Sequence, residues 1–95
     1  MEHLFIVSYD VGDPKRWRRV YRTMRGYGVW VQLSVFQCRM SRIRRVQLEA
    51  ALDAIVNHRE DHILLLDLGP ADGVEPKVNS IGKPFRPIQV EPVIV

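Results

Sequence analysis

The 95-residue chain has a single cysteine, Cys38, so it forms no internal disulfide, which fits a reducing compartment. Three scattered histidines beside that one cysteine leave a structural zinc site without its usual ligands. No apolar run reaches the roughly 18 residues needed to cross a bilayer, and MEHLFIVSYD lacks the basic start and small-residue cleavage site of a secretory signal. The expectation is therefore a soluble, cytoplasmic protein with no membrane segment. Neither Gly12-Asp13 nor Gly26-Tyr27-Gly28 has the spacing of a phosphate loop, and there are no repeats or low-complexity tracts. At 46% hydrophobic residues the chain can fill one compact core but not enclose a deep private cleft, so a single domain over residues 1–95, completed by a partner subunit, is expected.

Acidic residues are missing from one long stretch. Lys15, Arg16, Arg18, Arg19, Arg22, Arg25, Arg39, Arg42, Arg44 and Arg45 follow one another with no Asp or Glu between them, so Pro14 to Leu48 carries +10 while the rest of the chain sums to −7. A solvated helix face would explain a few such charges. Ten in succession, nine of them arginine, point instead to a polyanion such as nucleic acid, whose binding releases counterions from its phosphates.

What is present reads as alternating strands and helices. Leu4 to Val11 is a short apolar, β-rich run bounded by Gly12; its alternation puts Leu4, Ile6, Ser8 and Asp10 on one face and Phe5, Val7 and Tyr9 on the face that meets the helices. Asp13-Pro14 opens a helix as N-cap and first helical residue, Trp17, Val20, Tyr21 and Met24 form its apolar stripe, and Gly26 and Gly28 end it. Val29 to Cys38 is β-rich, with Val29, Val31, Leu33 and Val35 on one side and Trp30, Gln32, Ser34, Phe36 and Cys38 on the other. The mixed second side suggests a subunit contact. No Asn-Gly or Asp-Gly marks a turn, yet two short strands are favoured over one long one.

Ser41 caps a second helix over roughly residues 42–57, in which Ile43, Val46, Leu48, Ala50, Leu52 and Ile55 give a broad sheet-covering stripe. Ile63 to Leu68 reads as a buried strand closed by Gly69-Pro70. Residues 71–84 are loop-like with a short strand at Val78 to Ile81, and residues 88–95 form a Pro-interrupted edge strand that needs a home, such as a partner's sheet. The order strand, helix, strand, strand, helix, strand predicts an α+β, ferredoxin-like β-α-β-β-α-β fold with a C-terminal extension over residues 71–95 and a homodimer through the uncovered sheet face.

Asp10 is the sharpest chemical candidate, because a carboxylate ending an apolar strand must be exposed, hydrogen-bonded or bound to a cation. One chain offers it no acidic companion, but a two-fold axis would supply a second Asp10, and the pair could share Mg²⁺ or Mn²⁺. Capping the Gly12-Asp13 turn is the competing role. Ser8, Tyr9 and Ser34 are hydroxyls near enough to orient water or phosphate, though in strands they usually form ordinary hydrogen bonds. His58-Arg59-Glu60-Asp61-His62 straddles a helix end and a strand start, which argues against a shared metal, and Cys38 reads as a small buried hydrophobe.

These residues resemble the CRISPR-associated protein 2 family. The resemblance rests on Ser8-Tyr9-Asp10-Val11, the following Asp-Pro and arginine-rich helix, Tyr27-Gly28, and Val31-Gln32-Leu33-Ser34-Val35-Phe36 running to Arg39. It implies a ferredoxin-like homodimer whose C-terminal strand packs on the partner's sheet, acting in spacer acquisition by bridging CRISPR-associated protein 1 integrase dimers on DNA. It also implies an Mg²⁺-dependent endonuclease activity on RNA or DNA, with Asp10 as metal ligand and catalytic residue; Ser8, Tyr9, Ser34 and Phe36 are the supporting candidates the residues themselves offer beside it. Gln37 stands where the family commonly has Glu, which removes a carboxylate. Three readings stay open: an enzyme built on Asp10; a DNA-binding scaffold without catalysis, using Arg16, Arg18, Arg19, Arg22 and Arg39; and an RNA-binding module, which lacks the aromatic strand motif such domains use.

Overall fold

The protein is described here by a computed structural model covering residues 1–85. Six elements follow in order: β1 (His3–Asp10), α1 (Pro14–Arg25), β2 (Val29–Gln32), β3 (Val35–Met40), α2 (Arg42–Asp53) and β4 (His62–Pro70). The strands form one antiparallel sheet in the order β2-β3-β1-β4, the expected ferredoxin-like arrangement. The predicted C-terminal strand lies outside the described residues. Residues 71–85 contain no strand, so the short strand expected at Val78 to Ile81 is absent; Val78 and Ile81 are exposed there and pair with no ladder.

Asp13 caps α1 as expected, its carboxylate accepting the Arg16 backbone N–H at 2.9 Å, and Ser41 does the same for Arg44 at 3.2 Å on α2. Both helices lie on one face of the sheet. The core between the two layers is Phe5, Val7 and Tyr9 from β1, Phe36, Cys38 and Met40 from β3, Val20 and Met24 from α1, and Leu48 and Leu52 from α2. Burying each such side chain contributes roughly 1.5–3 kcal/mol.

Three expectations about faces need correction. The side bearing Trp30, Phe36 and Cys38, read as a subunit contact, is the core side: Phe36 and Cys38 are fully buried, and the Ser34 hydroxyl that made it look polar accepts a hydrogen bond from the Trp17 indole at 2.9 Å. The stripe on α2 is narrower than predicted, because a straight helix turns only one side to the sheet. Leu48 and Leu52 are buried, whereas Ile43 and Val46 remain 70% and 52% exposed. Nor is β4 a buried strand. It lies at the sheet edge, where the helices cover only one face, so Leu64, Leu66 and Leu68 are exposed. The second helix also stops at Asp53, short of residue 57, and continues as tight turns in which Ile55 and Val56 both donate to the Leu52 carbonyl.

β2 and β3 are two strands, joined by Leu33 and Ser34. Leu33 takes φ +38°, the left-handed conformation a two-residue hairpin requires and that a leucine rarely adopts. Its neighbours impose it. Trp30 Nε1 donates to the Leu33 carbonyl at 2.9 Å, and the Tyr9 N–H donates to the Ser34 carbonyl at 3.0 Å.

Candidate functional site

The face of the sheet away from the helices carries Ile6, Ser8 and Asp10 of β1. Ser8 lies between Val35 and Leu64, and Ile6 between Gln37 and Leu66. This surface is apolar along its middle and acidic at one end. Asp10 is exposed there, opposite His62 in the β1–β4 register. Asp13, one turn later, supplies the cap of α1, so the turn that follows β1 does not depend on Asp10 for it. Gln37 shares the face but pairs with Ile6, four residues and about 13 Å along the strand from Asp10. Within one chain the amide at position 37 is therefore remote from the Asp10 carboxylate.

Of the supporting residues, only Ser8 shares the Asp10 face. The Tyr9 ring points into the core against Trp17 and Phe36, and burial pushes its hydroxyl up to about 12. Phe36 is core, and Ser34 is occupied at the hairpin by Trp17. Cys38 is likewise buried, its thiol pushed up to about 12 by desolvation, which leaves little reactive thiolate.

A divalent cation needs several oxygen ligands, and one chain presents Asp10 alone. Among the described residues no group of three or more His, Cys, Asp or Glu side chains is placed to hold a metal. The donor set fits such an ion only if a second copy contributes its own Asp10. The His58–His62 segment does other work. Asp61 is buried beneath Arg16, Glu60 also binds Arg16, and His58 lies 3.5 Å from Asp53.

The five arginines predicted to bind nucleic acid divide into two groups. Arg18, Arg19 and Arg22 project into solvent from the outer side of α1, with Lys15 and Arg25 beside them. Arg16 is turned inward: its Nε donates to Asp61 Oδ2 at 2.8 Å, one terminal nitrogen reaches Asp61 at 3.3 Å and Glu60 at 3.1 Å, and the other lies 4.0 Å from Asp13. The Arg16 hydrogen bond, followed by that from the Asn57 N–H, holds the Asp61 carboxyl below the usual carboxylate range. Arg39 lies on the open sheet face and donates to the Ala71 carbonyl at 2.8 Å and to the Val74 carbonyl, with Glu75 at 4.0 Å. It fastens the segment leaving β4 across Leu4. Both guanidiniums have intramolecular partners far away in sequence, which charge patterning along the chain cannot reveal.

Sequence reasoning also missed the exposed leucines of β4, because an unbroken apolar run looks the same in a buried strand and in an edge strand awaiting a partner. Among the described residues no helix is long and apolar enough to cross a membrane.

Comparison with known proteins agrees with this architecture. The family model described as CRISPR associated protein Cas2 matches residues 3–72. The chain is 63% identical over its full length, and the full length of the relative, to the CRISPR-associated endoribonuclease Cas2 of Geobacter sulfurreducens. It is 49% identical over 99% of its length to CRISPR-associated endoribonuclease Cas2 1 of Rhodospirillum rubrum, covering 92% of that protein. The crystal structure of Streptococcus pyogenes Cas2 superposes with a TM-score of 0.73 at 31% identity, over 83% of this chain and 99% of that one. With its β-α-β-β-α-β sheet, open apolar face and arginine-covered first helix, the chain belongs to the CRISPR-associated protein Cas2 family.

Proposed function

We propose that the protein is a homodimeric nucleic-acid-binding subunit of CRISPR spacer acquisition, paired through its open sheet face and bridging CRISPR-associated protein 1 integrase dimers on DNA. The observation that carries this is the row Lys15, Arg18, Arg19 and Arg22 on the outer side of α1, exposed and with no ion pair to an acidic residue among the described residues. Such a row suits regularly spaced phosphates and needs no catalytic group. Family membership supports the acquisition context, and the exposed Leu64 and Leu66 support the pairing.

Titration of a labelled duplex by fluorescence anisotropy tests it. Wild-type binding is expected to weaken steeply with salt, and an Arg18→Glu/Arg19→Glu/Arg22→Glu variant is expected to lose most of its affinity and much of that salt slope. Binding that ignored salt, or survived the triple charge reversal, would overturn the reading.

A second reading, nuclease activity, is favoured by the exposure of Asp10 and by the endoribonuclease names of the relatives. In a dimer the two Asp10 carboxylates would be the ligands of Mg²⁺ or Mn²⁺, and such an ion when bound polarises a phosphate and acidifies water. Ser8 would sit beside this pair on the same strand face, and the arginines would place the backbone. Cleavage of RNA and DNA in Mg²⁺ is expected to fall to background in Asp10→Ala. Undiminished cleavage would leave the scaffold role alone.

A further inference from the structure

The outer side of α2 carries apolar residues that nothing among the described residues covers. At about 100° per residue Leu48 and Leu52 face the sheet, and Ile43, Val46 and Ala50 fall within about 60° of one another on the opposite side. Ile43 and Val46 are largely exposed, and so is Ala50. Along one flank of this stripe the charge changes sign: Arg42 opens the helix, and Glu49 and Asp53 follow on the same flank, Asp53 ending it about 16 Å away. Arg42 is exposed and has no ion pair among the described residues. Glu49 and Asp53 have only long, solvent-accessible pairs on their own chain, with Arg45 at 3.9 Å and His58 at 3.5 Å. Both acids border a cleft of about 370 Å³ whose apolar lining is Leu52, Val56, Ile63 and Leu65.

A helix face with a basic end, an apolar middle and an acidic end is complementary to itself turned end for end. A two-fold axis across α2 sets two copies antiparallel, so that Val46 of one meets Ala50 of the other and the charged flank meets its own counterpart. Each Arg42 then comes level with Asp53 of the second copy. A parallel pair would instead bring Arg42 level with Arg42 and acid level with acid, which repels. An arginine also suits the cleft beside the acids, because its stem lies on apolar surface while its guanidinium meets carboxylates. We propose that the outer face of α2 is an antiparallel contact between two copies of this chain, each Arg42 seated at the Glu49–Asp53 cleft of the other. One helix pair buries less than the roughly 1,200–2,000 Å² of a stable complex, so this contact is weak and forms at high local concentration. It lies on the opposite side of the sheet from the open face. It therefore adds to the pairing proposed there, linking one dimer to the next, and does not depend on it.

The test is sedimentation velocity of the full chain at low ionic strength, from micromolar to near-millimolar protein. It is run in a Leu64→Lys/Leu66→Lys background, which removes the open-face leucines, and again in wild type in case that background does not fold. In both, mass is expected to rise toward the millimolar end beyond the species present at micromolar concentration. Adding Ile43→Asp/Val46→Asp is expected to abolish this rise. Arg42→Glu alone and Asp53→Arg alone are each expected to weaken it several-fold, and Arg42→Glu/Asp53→Arg together to restore it, since an antiparallel pair sees the same charges exchanged. All these positions are exposed, so each variant is expected to keep the wild-type circular dichroism spectrum. A chain that gains no mass with concentration in either background would overturn the proposal, as would a rise that survives Ile43→Asp/Val46→Asp or a charge exchange that restores nothing. If the chain stays unassociated and Ile43→Asp/Val46→Asp instead releases a purified CRISPR-associated protein 1 integrase, the stripe docks that protein and the proposal is wrong.

Discussion

Gly28 shows how a single residue can be required for want of space rather than for backbone freedom. A Cβ there would lie 2.4 Å from Cys38 Sγ and 2.4 Å from the Gln37 carbonyl oxygen, and that carbonyl belongs to the strand on which β2 is laid. Gly28→Ala is expected to destabilise the fold by about 1–3 kcal/mol, seen as a lower denaturant midpoint at unchanged slope. The sequence places the end of α1 at Gly26 and Gly28, and the helix does stop at Arg25, with Gly26 as a right-handed cap at φ −79°. Asp61 carries a second lesson. Because Arg16 lowers its folded pKa below the ordinary value, its contribution to stability is fully present above about pH 4 and is lost as the pH falls further, through the depressed folded value. Asp61→Asn is therefore expected to melt several degrees below wild type at neutral pH, with the deficit shrinking in acid; an equal deficit at both pH values would show that shape rather than charge is lost. Arg16 looked like one more phosphate ligand because its partner stands 45 residues away.

At the scale of elements, the β2–β3 hairpin lacks the residues that normally announce one. The left-handed conformation at Leu33 costs roughly 1–2 kcal/mol for a leucine, and hydrogen bonds from Trp30, Trp17 and Tyr9 hold the turn in place. Leu33→Asn is thus expected to stabilise the protein by up to about 1 kcal/mol, since Asn tolerates φ above zero and the Leu33 side chain, 74% exposed, gives up little packing. Chemical denaturation measures it, and a loss of stability would mean that Leu33 packs on something else in solution. The period-2 and period-3.6 patterns were enough to place both helices, both caps and the inward face of β1. They divided Phe36 from Val35 by face but made the Phe36 side a subunit contact, because the Ser34 hydroxyl that made it look polar belongs to a turn that only the folded hairpin makes visible. The Asp10 side of β1 was legible for the opposite reason: strict alternation over a short strand permits only two faces.

For the whole molecule the decisive surface is the open sheet face. Leu64 and Leu66 are 54% and 47% exposed, more than a lone domain needs to show, and they lie opposite Ser8 and Ile6 in the β1–β4 register. If a second copy covers this face, charge placed there should cost association rather than folding. Leu64→Lys/Leu66→Lys is expected to convert a dimer into a monomer by light scattering at micromolar concentration while keeping the wild-type circular dichroism spectrum. Its Tm should also stop depending on protein concentration, whereas the wild-type Tm should rise with concentration, because a partner that binds only the folded chain stabilises it by mass action. The same variant separates the two functional readings. A nuclease that needs Asp10 from both chains loses cleavage on becoming monomeric, whereas phosphate contacts made by the arginines of α1 persist in each monomer and lose only the gain from binding two at once. A monomer that still cleaved in Mg²⁺ at the wild-type rate would show that the chemistry does not require the paired Asp10 carboxylates.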